Sequence, residues 1–154
     1  MRWLRFFYKP KICLKTKIII IIKLNKLEIA VTNGIKVSVE TFYQEDDSRP
    51  SEHKYVFAYR ITIENVSDYT VQLMRRHWII KDSSGTTREV EGEGVIGEQP
   101  VLTPQQAYQY VSWCHLSTEV GNMRGHYVFT RQMDGASFKA AIPEFHLMTP
   151  FKMN

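Results

Sequence analysis

From residue 31 onward, apolar and polar positions alternate in short segments divided by turn signals, and no 3.6-residue repeat is sustained. The clearest segment is KYVFAYRITIENV. There Tyr55, Phe57, Tyr59, Ile61 and Ile63 share one face, and Arg60, Thr62 and Glu64 share the other. One apolar and one polar face predict an antiparallel sheet with a single side in the core. IKVSVETFY (35–43) alternates likewise and is followed by the polar loop QEDDSRPSEH. TVQLMRRHWIIKD begins with Val71 and Leu73 inward and resumes with Trp78 and Ile80. That change of phase predicts a β-bulge near Arg75–His77. SSGTTREVE, AYQYVSWCHL, GHYVFTRQM and ASFKAAIPEF supply four more strands, with turns at Ser83-Ser84-Gly85 and Asp134-Gly135. About seven strands and no sustained helix predict an all-β fold, an antiparallel β-sandwich of immunoglobulin-like or fibronectin type III-like architecture.

Composition divides the chain in two. Residues 1–30 hold eight Lys/Arg against the single acid Glu28, a net +7. Residues 31–154 hold twelve Lys/Arg against fifteen Asp/Glu, a net −3. The basic charge therefore belongs to a Lys/Ile-rich leader, 1–30; a polyanion-binding reading of the domain at 31–154 loses its main support, and no nucleic-acid partner is expected. The leader's apolar run, Ile18 to Ile22, is five residues long. A membrane-spanning helix needs roughly 20 apolar residues and a signal sequence a core of about 7–15, so neither is expected. The leader is read as a dispensable extension or a start assigned too far upstream, with a basic surface-binding arm as the alternative. The two cysteines, Cys13 and Cys114, form no C-x-x-C pair, and so the chain is expected in the reducing cytoplasm.

EVEGEGVIGEQP places Gly92, Gly94 and Gly97 as G-x-G-x-x-G, the spacing of a pyrophosphate-binding loop. That chemistry needs a helix N-terminus after the loop. Here Pro100 follows closely, and Glu89, Glu91, Glu93 and Glu98 surround the glycines with only Arg88 to offset them. The loop is read as structural, and no cofactor is expected. Glu89, Glu91 and Glu93 lie on one strand face about 7 Å apart, which makes them weak candidates for a divalent cation. A charged, solvent-facing edge is the commoner use of that pattern. Cys114 and His115 are adjacent and point to opposite faces of a strand, so they cannot share one ion. Cys114 reads as a packed thiol, and no nucleophile, zincin or P-loop motif is present. The candidate interaction surface is Arg75, Arg76 and His77, joined by Arg124 and Tyr127, because Arg and aromatic residues concentrate in binding hot spots. The competing reading puts Trp78 in the core and leaves the arginines solvated or salt-bridged.

VFAYRITIEN, VQLMRRHWIIKD, VEGEGVIGEQPVLTP, YVSWC and VGNMRGHYVF, in that order, resemble the ApaG family of small bacterial proteins over about residues 31–147. The resemblance implies a fibronectin III-like sandwich. Related domains in larger eukaryotic proteins look like interaction modules. The family's associations with cobalt and magnesium efflux and with diadenosine tetraphosphate hydrolysis imply, as alternatives, a cation-efflux accessory and a nucleotide-handling partner. Two departures stand out: Pro104-Gln105 where the family often has Pro-Gly, and Cys114-His115-Leu116 where it often has Cys-Pro-Leu. The expected function is a non-catalytic protein-interaction module, with an unknown protein partner and a possible homodimer through a sheet edge.

Overall fold

The computed structural model describes residues 26–150. Asn33 and Gly34 take left-handed φ of 52° and 77° and turn β1 (Glu28–Thr32) directly into β2 (Ile35–Tyr43). An Asn-Gly pair is the favoured two-residue hairpin turn because its twist matches that of the strands. It fixes the register Thr32↔Ile35 through Glu28↔Val39. β2 then pairs with β3 (Tyr55–Asn65), and β3 with β7 (Ala107–Leu116), to complete a four-stranded antiparallel sheet in the order β1-β2-β3-β7. A single 3-10 turn, Pro50–Glu52, interrupts the loop before β3.

The second sheet has the order β5-β4-β8-β9, formed by β4 (Val71–Asp82), β5 (Thr87–Glu93), β8 (Val120–Arg131) and β9 (Ser137–Met148). The short β6 (Val101–Leu102) pairs with the start of β4. The fold is thus an all-β sandwich with no α-helix among the described residues. Alternation puts Val37, Val39, Phe57, Tyr59, Ile61 and Ile63 of the first sheet against Leu73, Trp78, Met123, Tyr127, Phe129, Phe145 and Leu147 of the second. Trp78 sits centrally. It meets Tyr59, Phe145 and Tyr127 edge-on at centroid distances of 5.6, 5.9 and 6.4 Å, a favoured geometry for aromatic pairs.

Three sequence expectations change in detail. The described residues contain two short strands, β1 and β6, beyond the expected seven. The expected boundary at residues 30 and 31 falls inside β1, whose first three residues pair with Val37–Val39; residues 1–25 of the leader, with Cys13, lie outside the described residues. The bulge lies at Met74, between Leu73 and Arg75 in the pairing of β4 with β8, one residue before the expected position.

The two sides of the sandwich differ. On one, β9 packs against β1 and β2. On the other, β5 overhangs the edge of β7. Val90 lies opposite Trp78 on the core side of the sheet, yet it is 39% exposed because no strand of the first sheet lies beneath it. Two side chains cross this gap: Arg88 donates to the His115 carbonyl at 2.6 Å, and the Tyr108 hydroxyl to Glu98 at 2.8 Å.

Candidate functional site

The bulge at Met74 separates residues that the sequence groups together. Past it, Arg75, His77 and Ile79 lie on the outer face of the second sheet, while Arg76, Trp78 and Ile80 face the core side. His77 stands between Glu91 of β5 and His126 of β8. Its Nε2 is 2.9 Å from Glu89 and 3.6 Å from Glu91, and its ring centroid is 5.0 Å from that of His126. Burial, Lys139 and His77 together hold the His126 imidazole below its ordinary pKa, with Glu91 opposing them. Arg124 is exposed on the same face. Glu89, Glu91 and Glu93 share that face along β5, as the alternation predicts, and two of them turn toward His77. Among the described residues, no group of three or more His, Cys, Asp or Glu side chains is placed to hold a metal ion.

Tyr127 does not belong to this surface. It is 0% exposed, on the core side of β8, and its hydroxyl lies 2.5 Å from that of Tyr110 across the sandwich. Alternation explains the correction: His126 takes the outer position, so its neighbour must face inward. Burial raises the pKa of both tyrosines. Arg76 likewise turns inward. Its Nη1 donates to the carbonyls of Glu93 and Gly94 at 2.9 and 2.8 Å.

Those two bonds give the glycine loop a structural account. Gly94 N–H donates to the Met74 carbonyl at 2.8 Å, so the bulge and Arg76 together hold the loop's first turn. A Cβ on Gly92 would lie 3.0 Å from the Arg76 guanidinium, and one on Gly94 only 2.1 Å from the Glu98 carbonyl. Val95 and Glu98 exchange backbone hydrogen bonds around Ile96 and Gly97, both at positive φ. The chain then enters β6 instead of a helix. The Gly94, Val95 and Glu98 amides are thus turned to the fold's own carbonyls.

A different site emerges on the open side. Where the start of β5, the end of β7 and the loop before β3 meet, a cleft of about 300 Å3 opens. Ile80 and Leu116 form its apolar floor, and His53, Lys54, Arg88 and His115 stand around it. Asp82 also lines it, with both oxygens occupied. Oδ1 accepts from the Ser84 hydroxyl and from the Ser84 and Thr86 amides, and Oδ2 from the Ser117 hydroxyl. The hydroxyl hydrogen bonds from Ser84 and Ser117 hold its carboxyl below the usual range. Cys114 lies behind Arg88, and burial pushes its thiol up, offset by the guanidinium 3.4 Å away. No local pattern marks this cleft, because its basic residues come from three separate segments.

Fold and site together define a class: a small all-β sandwich domain with one packed side and one open side. The ApaG domain profile matches residues 45–131. Protein ApaG of Brucella canis is 52% identical over 121 residues, covering 79% of this chain and 92% of that one. Protein ApaG of Mesorhizobium japonicum has the same identity and coverage. The crystal structure of the putative ApaA protein from Bordetella pertussis shares 38% identity, with a TM-score of 0.72, over 82% of this chain and 97% of that one. An X-ray structure of a Northeast Structural Genomics Consortium target shares 44% identity, with a TM-score of 0.74, over 81% and 94%. The chain belongs to the ApaG family.

Proposed function

We propose that this chain is a non-catalytic, cytoplasmic protein-interaction module that takes up an extended segment of a partner protein along β7. The observation that carries this reading is the composition of that edge. Over ten residues, β7 contains no Lys, Arg, Asp, Glu or Pro, and it exposes Val111 by 40% and Trp113 by 57%. Natural edge strands are normally blunted by charge, proline or brevity. The other three edges are: β5 carries four charged residues in seven, β9 carries Lys139, Pro143 and Glu144, and β1 is five residues long. An edge left unblunted suits strand addition, in which main-chain hydrogen bonds supply affinity and side-chain contacts supply selectivity.

The pairing pattern identifies the groups on offer. Asn65 N–H donates to the Gln106 carbonyl. Antiparallel alternation then bonds Tyr108, Tyr110, Ser112 and Cys114 to β3 and points the backbone groups of Gln109, Val111 and Trp113 outward. The side chains of these three residues share the sheet's outer face. A single added strand would lie beneath the overhang of β5.

A benzophenone amino acid at Gln109, introduced in cells that express the chain natively, tests this. A discrete adduct with a different protein is expected, lost on Val111→Pro, which removes one free-edge N–H. Adducts that persist in Val111→Pro contradict the reading, and an adduct between two copies of this chain replaces it with a homodimer.

A further inference from the structure

Resting on that reading, we propose that the cleft beside the end of β7 receives a carboxylate, so that the partner segment is acidic where it leaves the β7 edge. The charge around the cleft points this way. Among the described residues, His53, Lys54, Arg88 and His115 have no carboxylate within ion-pairing distance. Lys36, Arg60 and Arg131 are paired, with Glu64, Glu40 and Asp134, and what marks the cleft is that its cations converge on one hollow. Asp82 is the one acid lining the cleft, and its oxygens are already filled by Ser84, Thr86 and Ser117. Lys54 and Arg88 together outweigh the single charge of Asp82.

Arg88 is held ready for an anion. One terminal nitrogen, Nη2, is fixed on the His115 carbonyl and the Cys114 sulfur, while Nε and Nη1 have no hydrogen-bond partner among the described residues. A guanidinium offers its donors in a rigid fork that matches a carboxylate. Immobilising the head through a carbonyl removes part of the entropy that an exposed arginine would lose on binding. The floor of Ile80 and Leu116 suits the methylene stem of a glutamate better than a compact, fully hydrated anion.

Position links the cleft to the edge. His115 is the last residue of β7 whose backbone groups point to the free side, and Arg88 already occupies its carbonyl. A strand paired along Gln109, Val111 and Trp113 therefore loses its hydrogen-bonding track there, and its next residue stands over the cleft.

The test is an NMR titration of the full-length protein with N-acetyl-glutamate α-amide, following the Arg88 Nε–H and the His53 imidazole C–H signals. Saturable shifts are expected, with a dissociation constant on the order of 1–10 mM, in the range of a single weak contact. The isosteric N-acetyl-glutamine α-amide should give no saturable shift. Arg88→Gln and Lys54→Gln should each weaken binding by about threefold or more, a loss of at least about 0.6 kcal/mol, with unchanged amide spectra elsewhere. Arg124→Gln, on the opposite face, should change nothing. Absence of saturation, equal response to the glutamine analogue, or equal affinity in Arg88→Gln overturns the proposal. Inorganic phosphate that binds more tightly at the same residues overturns the carboxylate assignment. Strand addition at β7 is read separately by the Gln109 adduct. If the adduct forms equally in Arg88→Gln, the cleft inference fails while the module reading stands.

Discussion

Gln105 adopts φ of +67°, a left-handed conformation that disfavours any residue with a Cβ. It supplies the turn from which Gln105 N–H reaches the Asn65 carbonyl at 2.8 Å and starts β7 in register. Gln105→Gly is expected to stabilise the domain by up to about 1 kcal/mol in urea unfolding, the relief of left-handed strain less the added freedom of the unfolded glycine. A loss of stability would mean that the conformation is unstrained. Ile96 poses the same question, as a β-branched residue at φ +49° on an exposed turn tip. The Tyr110–Tyr127 pair sets a second residue-scale test. Tyr127→Phe leaves the buried Tyr110 hydroxyl without the partner seen at 2.5 Å and should cost about 1–3 kcal/mol, whereas Tyr110→Phe combined with Tyr127→Phe removes both polar groups and should cost less than the single change. A double variant at the sum of the two single costs would show that the hydroxyls act independently.

At the scale of elements, legibility followed local physics. Strict alternation marked β2, β3 and β7 within a residue or two, because each buries one face and a slip of one residue would expose the whole apolar set. It failed at β1, where the sense is reversed. Ile29 and Val31 are 49% and 62% exposed, while Ala30 faces inward opposite Val37. The Asn33-Gly34 turn fixes this register regardless of the side chains' hydropathy. Ile29→Lys with Val31→Lys should therefore change stability by less than about 0.5 kcal/mol, as for other surface substitutions; a loss of several times that would place these residues in the core. The bulge also misled by one residue. The consequence was large, since Met74 decides that Arg76 grips the glycine loop and Arg75 faces solvent. RRHW and the glycine loop are sequence marks of one physical joint, which residue patterns alone did not join. The β4–β5 turn adds a pH test. The Asp82 carboxyl is held below its ordinary range by Ser84 and Ser117, so its contribution is present above the unfolded-state value of about 3.9 and disappears as pH falls through the lower folded value. Asp82→Asn should lose about 1–2 kcal/mol at pH 7 and show a shallower decline than the parent between about pH 4 and pH 2. Parallel declines would assign the acid sensitivity to other carboxylates.

The whole molecule is asymmetric, with one closed flank and one open one. β9 against β1 and β2 closes one flank, and the other is left open between β5 and β7. The cleft belongs to the open flank and could not be read in the sequence, because Lys54, Arg88 and His115 become neighbours only when two sheets stack with unequal overhang. This arrangement predicts a period-two pattern in hydrogen exchange along β7. Amides of Gln109, Val111 and Trp113 face solvent and should exchange rapidly, while those of Tyr110, Ser112 and Cys114, bonded to β3, should be protected to near the global unfolding free energy. Proline substitution reads the same pattern energetically. Val111→Pro removes an N–H that bonds nothing in the sheet and should cost under about 1 kcal/mol, whereas Ser112→Pro deletes a ladder bond to Tyr59 and should cost about 3 kcal/mol or more. An acidic segment bound along this edge would slow only the odd-numbered amides. Uniform protection along β7 in the free protein would mean that its edge is already paired, and would move the search for the interaction surface to the outer face around Arg75, His77 and Arg124.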